Sequence, residues 1–184
     1  AKKDNLMLYQ GMVGGYMYLR SLMGPEDLLM AFYDMPELVH AMMKRWLELA
    51  NAAMEKIQAK TEIDLFKIGE DICYNKGMLI SPDMFREFLL PYYQEAITKM
   101  RKRQKRYMHF DVDTDGYAPQ SIPVFLEAGM DSMGPFEIAS NCDVVKIGQQ
   151  YPKLCMNGGI DKRILAKGKK EINDILFGAN PPDD

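Results

Sequence analysis

Arg106-Tyr-Met-His-Phe-Asp-Val-Asp-Thr-Asp-Gly116 is the stretch on which the fold turns. Tyr107 to Val112 reads as a buried strand. It runs into acids at alternate positions, Asp111, Asp113 and Asp115, and then into a glycine. Strand side chains alternate between faces, so the three carboxylates are expected to point the same way. Ala118 to Ala128 reads as the helix that follows, closed by Gly129. A strand feeding a helix is a βα unit, and in parallel α/β proteins the C-terminal end of the strand is where chemistry is done. The alternative is a solvated, glycine-terminated turn that favours Asp for its backbone hydrogen bonds.

Outward from this unit the pattern repeats. Leu6 to Val13 reads as a strand ending at Gly14-Gly15, followed by a helix over Pro25 to Tyr33. A longer helix opens at Pro36, with Val39, Met43, Trp46, Ala50, Ala53 and Ile57 on one face. Asp64 to Gly69 is the next strand and Glu70 to Gly77 a loop. Ser81-Pro82-Asp83 supplies a cap, a proline and an early acid for another helix, which Pro91 should kink or split. Beyond Gly129 come a strand over Ser132 to Phe136, a helix over Asp143 to Gln150 and a strand over Lys153 to Met156. The loop Asn157-Gly-Gly-Ile-Asp161 leads to a last helix over Ile164 to Leu176. Alternating strands and helices predict an α/β fold with a parallel sheet of about five βα units. A closed barrel of such units needs eight strands and about 250 residues. The pattern fits either an open doubly wound sheet or part of a barrel.

Composition narrows the function classes. The chain has 184 residues, 47% of them hydrophobic, enough for one domain with a real core. A net charge of −3 gives no nucleic-acid footprint, and the basic run Arg101 to Arg106 reads as a solvated helix end. Three cysteines without a CxxC pair suggest a reducing compartment with no disulfide framework or autonomous zinc site. No membrane span or signal peptide is visible, so a cytoplasmic protein is expected. Neither of the two histidines has an evident nucleophile partner, and no dinucleotide fingerprint is present.

Several motifs carry a family resemblance. Leu79-Ile-Ser-Pro-Asp-Met-Phe-Arg-Glu-Phe-Leu-Leu-Pro-Tyr-Tyr93 resembles a signature of the uroporphyrinogen decarboxylase superfamily, which also holds the corrinoid and coenzyme M methyltransferases. Asp34-Met-Pro-Glu-Leu-Val39, Asp113-Thr-Asp-Gly116, Phe125-Leu-Glu-Ala-Gly-Met-Asp131, Pro135-Phe-Glu137 and Gly158-Gly-Ile-Asp-Lys162 correspond in the same order. The resemblance spans about residues 11 to 172. It implies a (β/α)8 barrel, present here as one domain over residues 1–184 that lacks N-terminal units and the last strand. Asn180-Pro-Pro-Asp-Asp184 resembles a motif from the family's end, so the chain reads as a fragment or as one that has lost segments.

The resemblance also implies roles. Family methyltransferases hold zinc with an H-x-C pair and a later Cys, and here Asp113 and Asp115 occupy the matching turn. Carboxylates suit harder cations or acid/base work better than thiolate-type zinc. His109 and Asp111 are metal-ligand candidates for an ion of unknown identity, or His109 is a satisfied strand histidine. Glu70 and Asp71 resemble the family's acidic turn and join Asp113 and Asp115 as catalytic candidates. Tyr16, Arg20, Glu137, Gly159 and Asp161 are candidates for substrate binding. A formed barrel would bring the strand-end acids together and raise some of their pKa values. Each also has a local reading: Asp161 as a helix cap, Glu70 and Asp71 as loop polar groups, Glu137 as a turn holder. Three functions follow as expectations. One is methyl transfer between a small methylated donor and a corrinoid on a partner protein. Another is decarboxylation of a porphyrinogen, which the acidic rim disfavours. The third is an incomplete barrel acting as a binding or assembly piece. The expected partners are a small-molecule substrate, a corrinoid protein and copies of the chain in a homo-oligomer, with neither nucleic acid nor membrane.

Overall fold

The structure, a computed structural model, describes residues 6–177. Five parallel strands form the sheet: β1 (Tyr9–Val13), β2 (Leu65–Gly69), β5 (His109–Asp113), β6 (Ser132–Phe136) and β7 (Cys155–Gly158), in that spatial order. A two-residue ribbon, β3 (Cys73–Tyr74) with β4 (Gly77–Met78), lies in the segment expected as loop. The strands follow one another across the sheet, each reached by a crossover through helices, as in one arc of a barrel.

The pleat divides the strands into two chemistries. Phe66, Ile68, Phe110, Val112 and Met133 are buried, and they alternate with Leu65, Lys67, His109, Asp111, Asp113 and Ser132. The apolar set packs under the helices, and the alternate set lines the other face. The helices are α1 (Gly15–Met23), α2 (Pro25–Asp34), α3 (Pro36–Gln58), α4 (Pro82–Phe88), α5 (Leu90–Lys102), α6 (Ile122–Ala128), α7 (Val144–Gln150), α8 (Lys162–Leu165) and α9 (Lys169–Phe177). Trp46 packs edge-on against Tyr93 at 5.0 Å, and Phe85 meets Phe125 edge-on at 5.1 Å, so α3, α4, α5 and α6 share one aromatic seam.

Local signals account for most boundaries. Ser81 caps α4 by accepting a hydrogen bond from the Met84 N–H at 3.1 Å. Pro91 forces a break, and α4 ends before α5 begins one residue later, at Leu90. The helix expected over 164–176 is instead α8 and α9, parted at Gly168 with φ +123°. The helix expected from Ala118 is a short 3-10 turn (Ala118–Gln120) followed by α6. The Asn180-to-Asp184 motif lies outside the described residues. No helix among the described residues is long and apolar enough to cross a membrane.

The basic run is a stitch rather than a solvated end. Arg101 donates to the Met108 carbonyl, the Gly129 carbonyl and the Asp131 carboxylate, the last at 2.7 Å, and lies over the Tyr107 and Phe110 rings. Arg103 reaches Asn51, and Arg106 pairs with Asp64. These contacts tie the N-terminal ends of β2, β5 and β6 to the helix layer.

Candidate functional site

The C-terminal ends of the strands carry the acids. Asp71 follows β2, Asp113 ends β5, Asp115 lies two residues beyond, and Glu137 follows β6. Asp71, Asp113 and Glu137 all act on Asp115, whose carboxyl is held above its ordinary range first by partial burial and then by these three charges, Glu137 foremost; Lys162 opposes the shift. The acids at the ends of β2, β5 and β6 therefore lie within electrostatic reach of Asp115, and Asp161, also expected at the rim, is not among them. Asp115 belongs to the rim by position rather than by pleat, because β5 stops at Asp113.

Two lysines complete the rim. Lys67, in the middle of β2, donates to Asp113 at 2.7 Å across the strand pair. Lys162, at the start of α8, donates to Glu137 at 2.8 Å. Glu137 also accepts from the Gly116 N–H at 3.1 Å and from the Ser140 hydroxyl at 3.4 Å, and the Lys162 bond is the largest cause holding it below the usual carboxylate range. Glu137 thus holds the Asp113-to-Gly116 turn and shapes the field at Asp115. Gly116, at φ +84°, packs against the Tyr74 carbonyl so closely that a side chain would clash with backbone.

Other candidates take different roles. Glu70 is fully buried and cannot touch a substrate. Its Oε1 accepts from the Tyr16 N–H and the Tyr93 hydroxyl, both at 2.8 Å, and Oε2 from the Met17 N–H at 3.3 Å. It caps α1 from another part of the chain, and desolvation raises its pKa to about 7 against those hydrogen bonds. A Cβ on Gly14 would overlap this carboxylate, which explains the glycine there. Tyr16, expected at the substrate, is wholly buried in α1 with its ring stacked on Phe32 at 6.5 Å. Arg20 sits in the last turn of the same helix, its guanidinium 3.7 Å from Met17 Sδ. Asp161 caps α8 through the Arg163 N–H at 2.9 Å and pairs with the Arg163 guanidinium, which holds its pKa at about 2. Gly159, at φ +78°, is a turn residue packed against Val144. Glu70, Tyr16, Asp161 and Gly159 are structural, and the reason is the same in each case: the group is already occupied or enclosed.

The metal candidates, His109 and Asp111, share a face of β5 but belong to no metal-holding cluster among the described residues. His109 starts β5, at the end opposite the rim, with Nδ1 3.9 Å from Asp131 and its ring edge-on to Tyr107. Four residues of strand, about 13 Å, part it from Asp113. No group of three or more His, Cys, Asp or Glu side chains among the described residues could hold a metal ion. Asp111 shares the rim acids' face but lies one row deeper, flanked in register by Lys67 and Ser132. Reading single residues missed Lys67; its mid-strand position on the polar face was the available signal.

The family model described as Uroporphyrinogen decarboxylase (URO-D) matches residues 2–179. Among solved structures, a methyltransferase from Methanosarcina mazei is similar in fold, with a TM-score of 0.57 and 14% sequence identity over 85% of this chain and 54% of that one. The chain spans about half the length of that structure. No curated protein matches.

Proposed function

Because this chain belongs to the uroporphyrinogen decarboxylase family, we propose that its acidic rim serves a methyltransferase-type reaction, moving a methyl group from a small methylated donor to a corrinoid carried by a partner protein. The observation that carries this reading is Asp115. It is exposed at the strand ends, and its environment makes it hold a proton more firmly than an ordinary Asp. When a heteroatom–methyl bond breaks, the electron pair stays on the heteroatom and the methyl goes to the acceptor. The leaving alkoxide or amide-like nitrogen then needs a proton, and Asp115 supplies it. Asp71 and Glu137 keep that proton in place by repulsion, and Lys67 pairs with Asp113 beside it.

The corrinoid enters as a co-substrate, so this chain need only present the donor and the proton. Zinc of the family type does not fit the residues at the corresponding turn. Asp113 and Asp115 are hard oxygen donors, and Asp113 is already engaged by Lys67. No step here runs through a metal. Decarboxylation of a porphyrinogen would bring several carboxylates onto a rim of four acids whose lysines are already paired, which the electrostatics disfavour.

The test is turnover of simple methyl ethers and methylamines with free reduced cobalamin as acceptor, followed by visible absorbance. Methyl transfer should fall by about a hundredfold in Asp115→Asn, the scale of a lost general acid, with the fold intact by circular dichroism. It should also fall as pH rises through the raised pKa of Asp115. Carbon dioxide release from a porphyrinogen, with no transfer from any methyl donor, would overturn the assignment.

A further inference from the structure

Two acids are buried among the described residues, Glu70 and Asp111; Glu70 caps α1, and Asp111 has no part in the mechanism. Its residue is 5% exposed, and its Oδ1 is enclosed without a hydrogen-bond partner among the described residues. A carboxyl oxygen left without a hydrogen-bond partner in a closed environment is costly, so a cationic or hydrogen-donating partner is expected. The register places the nearest cation beside it: Lys67 on β2 is directly opposite Asp111 on β5. Yet the Lys67 ammonium reaches one row up and bonds Asp113 at 2.7 Å. Lys67 feels Asp113 most strongly, and Asp111 and Tyr9 also favour its charge. One lysine therefore stands between two carboxylates on the polar face of the sheet, bonded to one of them and not to the other.

We propose that Lys67, Asp111 and Asp113 form an exchangeable seat for a ligand bearing an ammonium group. The ligand's nitrogen takes the place of Lys67 on Asp113, and Lys67 moves down to the free oxygen of Asp111. Without ligand there is one ion pair and one bare oxygen; with ligand there are two ion pairs and none bare. The relief of Asp111 is the differential that drives the exchange. No bond to carbon changes and no proton moves. Lys67 and Asp111 are positioning residues, and Asp113 is the group that meets the ligand. The inference rests on the reading of this rim as the donor site, and it narrows the donor to an amine-bearing compound anchored below Asp115.

Calorimetry with ethylammonium, and with 1-propanol and propionate as neutral and anionic counterparts, tests the seat without any methyl acceptor. A failure here is thus separate from a failure of methyl transfer. Ethylammonium should bind at least about tenfold more tightly than 1-propanol, a difference of about 1.4 kcal/mol, and propionate not at all. Asp111→Asn should weaken ethylammonium by about tenfold, because displaced Lys67 then has no carboxylate to reach. Should that variant not fold, the 15N resonance of the Lys67 ammonium in the wild-type chain gives the answer, since ethylammonium must shift it. Equal binding of ethylammonium and 1-propanol, an Asp111→Asn variant that binds as wild type does, or an unmoved Lys67 resonance would each sink the proposal.

Discussion

Glu70 and Asp71 are neighbours in sequence and opposites in environment. The pleat that buries Phe66 and Ile68 carries Glu70 to the helix side as well, and the next residue turns out to the rim. Counting by twos from Phe66 would have separated the pair; reading it as one acidic turn did not. The enclosed carboxyl has a testable signature. Its folded pKa of about 7 exceeds the ordinary 4.5, so between these values the folded chain holds a proton that the unfolded chain has released. The stabilising effect is complete below about 4.5 and is lost as pH rises through about 7, a swing on the order of 3 kcal/mol. Urea denaturation from pH 5 to pH 8 should show that decline, and Glu70→Gln should flatten it. A wild-type profile that rises over this interval would contradict the burial of Glu70. Asp115 and Glu137 were legible as strand-end acids. Lys67 was not, because its meaning comes from the strand beside it.

Elements formed where their signals were local. Ser81, Pro82 and Asp83 announce α4, and Pro91 marks the break before α5. Ser81→Ala should lower stability by about 1 kcal/mol, measured by chemical denaturation, with no change in methyl transfer; an unchanged midpoint would show that the cap is idle. α1 was missed because nothing beside it announces it. Its N-cap is Gly14, which offers no side-chain oxygen, and the acceptor that caps it comes from Glu70, 54 residues from Tyr16. Two adjacent glycines read as a loop when the helix start is completed by another strand. The last predicted helix failed for a related reason, since the short turn from Ala166 to Gly168, with Gly168 at positive φ, divides α8 from α9.

At the scale of the molecule, alternation of strands and helices established the parallel sheet but not its curvature, and the family resemblance was needed to choose the barrel. Whether a sheet closes depends on shear and twist summed over every strand, which no single motif records. Among the described residues, β1 and β7 each pair with one strand, while β2, β5 and β6 pair on both sides. Amide hydrogen exchange should therefore be slowest in β2 and β5 and much faster in β1 and β7. Equal protection of β1 and β5 would mean that another segment or molecule covers that edge.

Arg101 and its partners lie at one end of the strands, and the rim acids lie at the other. Anchorage and the proposed chemistry thus fall on different residues, with the length of a strand between them. If the rim is the site proposed above, substitutions at Asp71, Asp113 or Asp115 alter which molecule is accepted while the stitching at Met108, Gly129 and Asp131 stays as it is. The layout gives the lineage room to diverge: new specificities can be sampled at one end without first repairing the other.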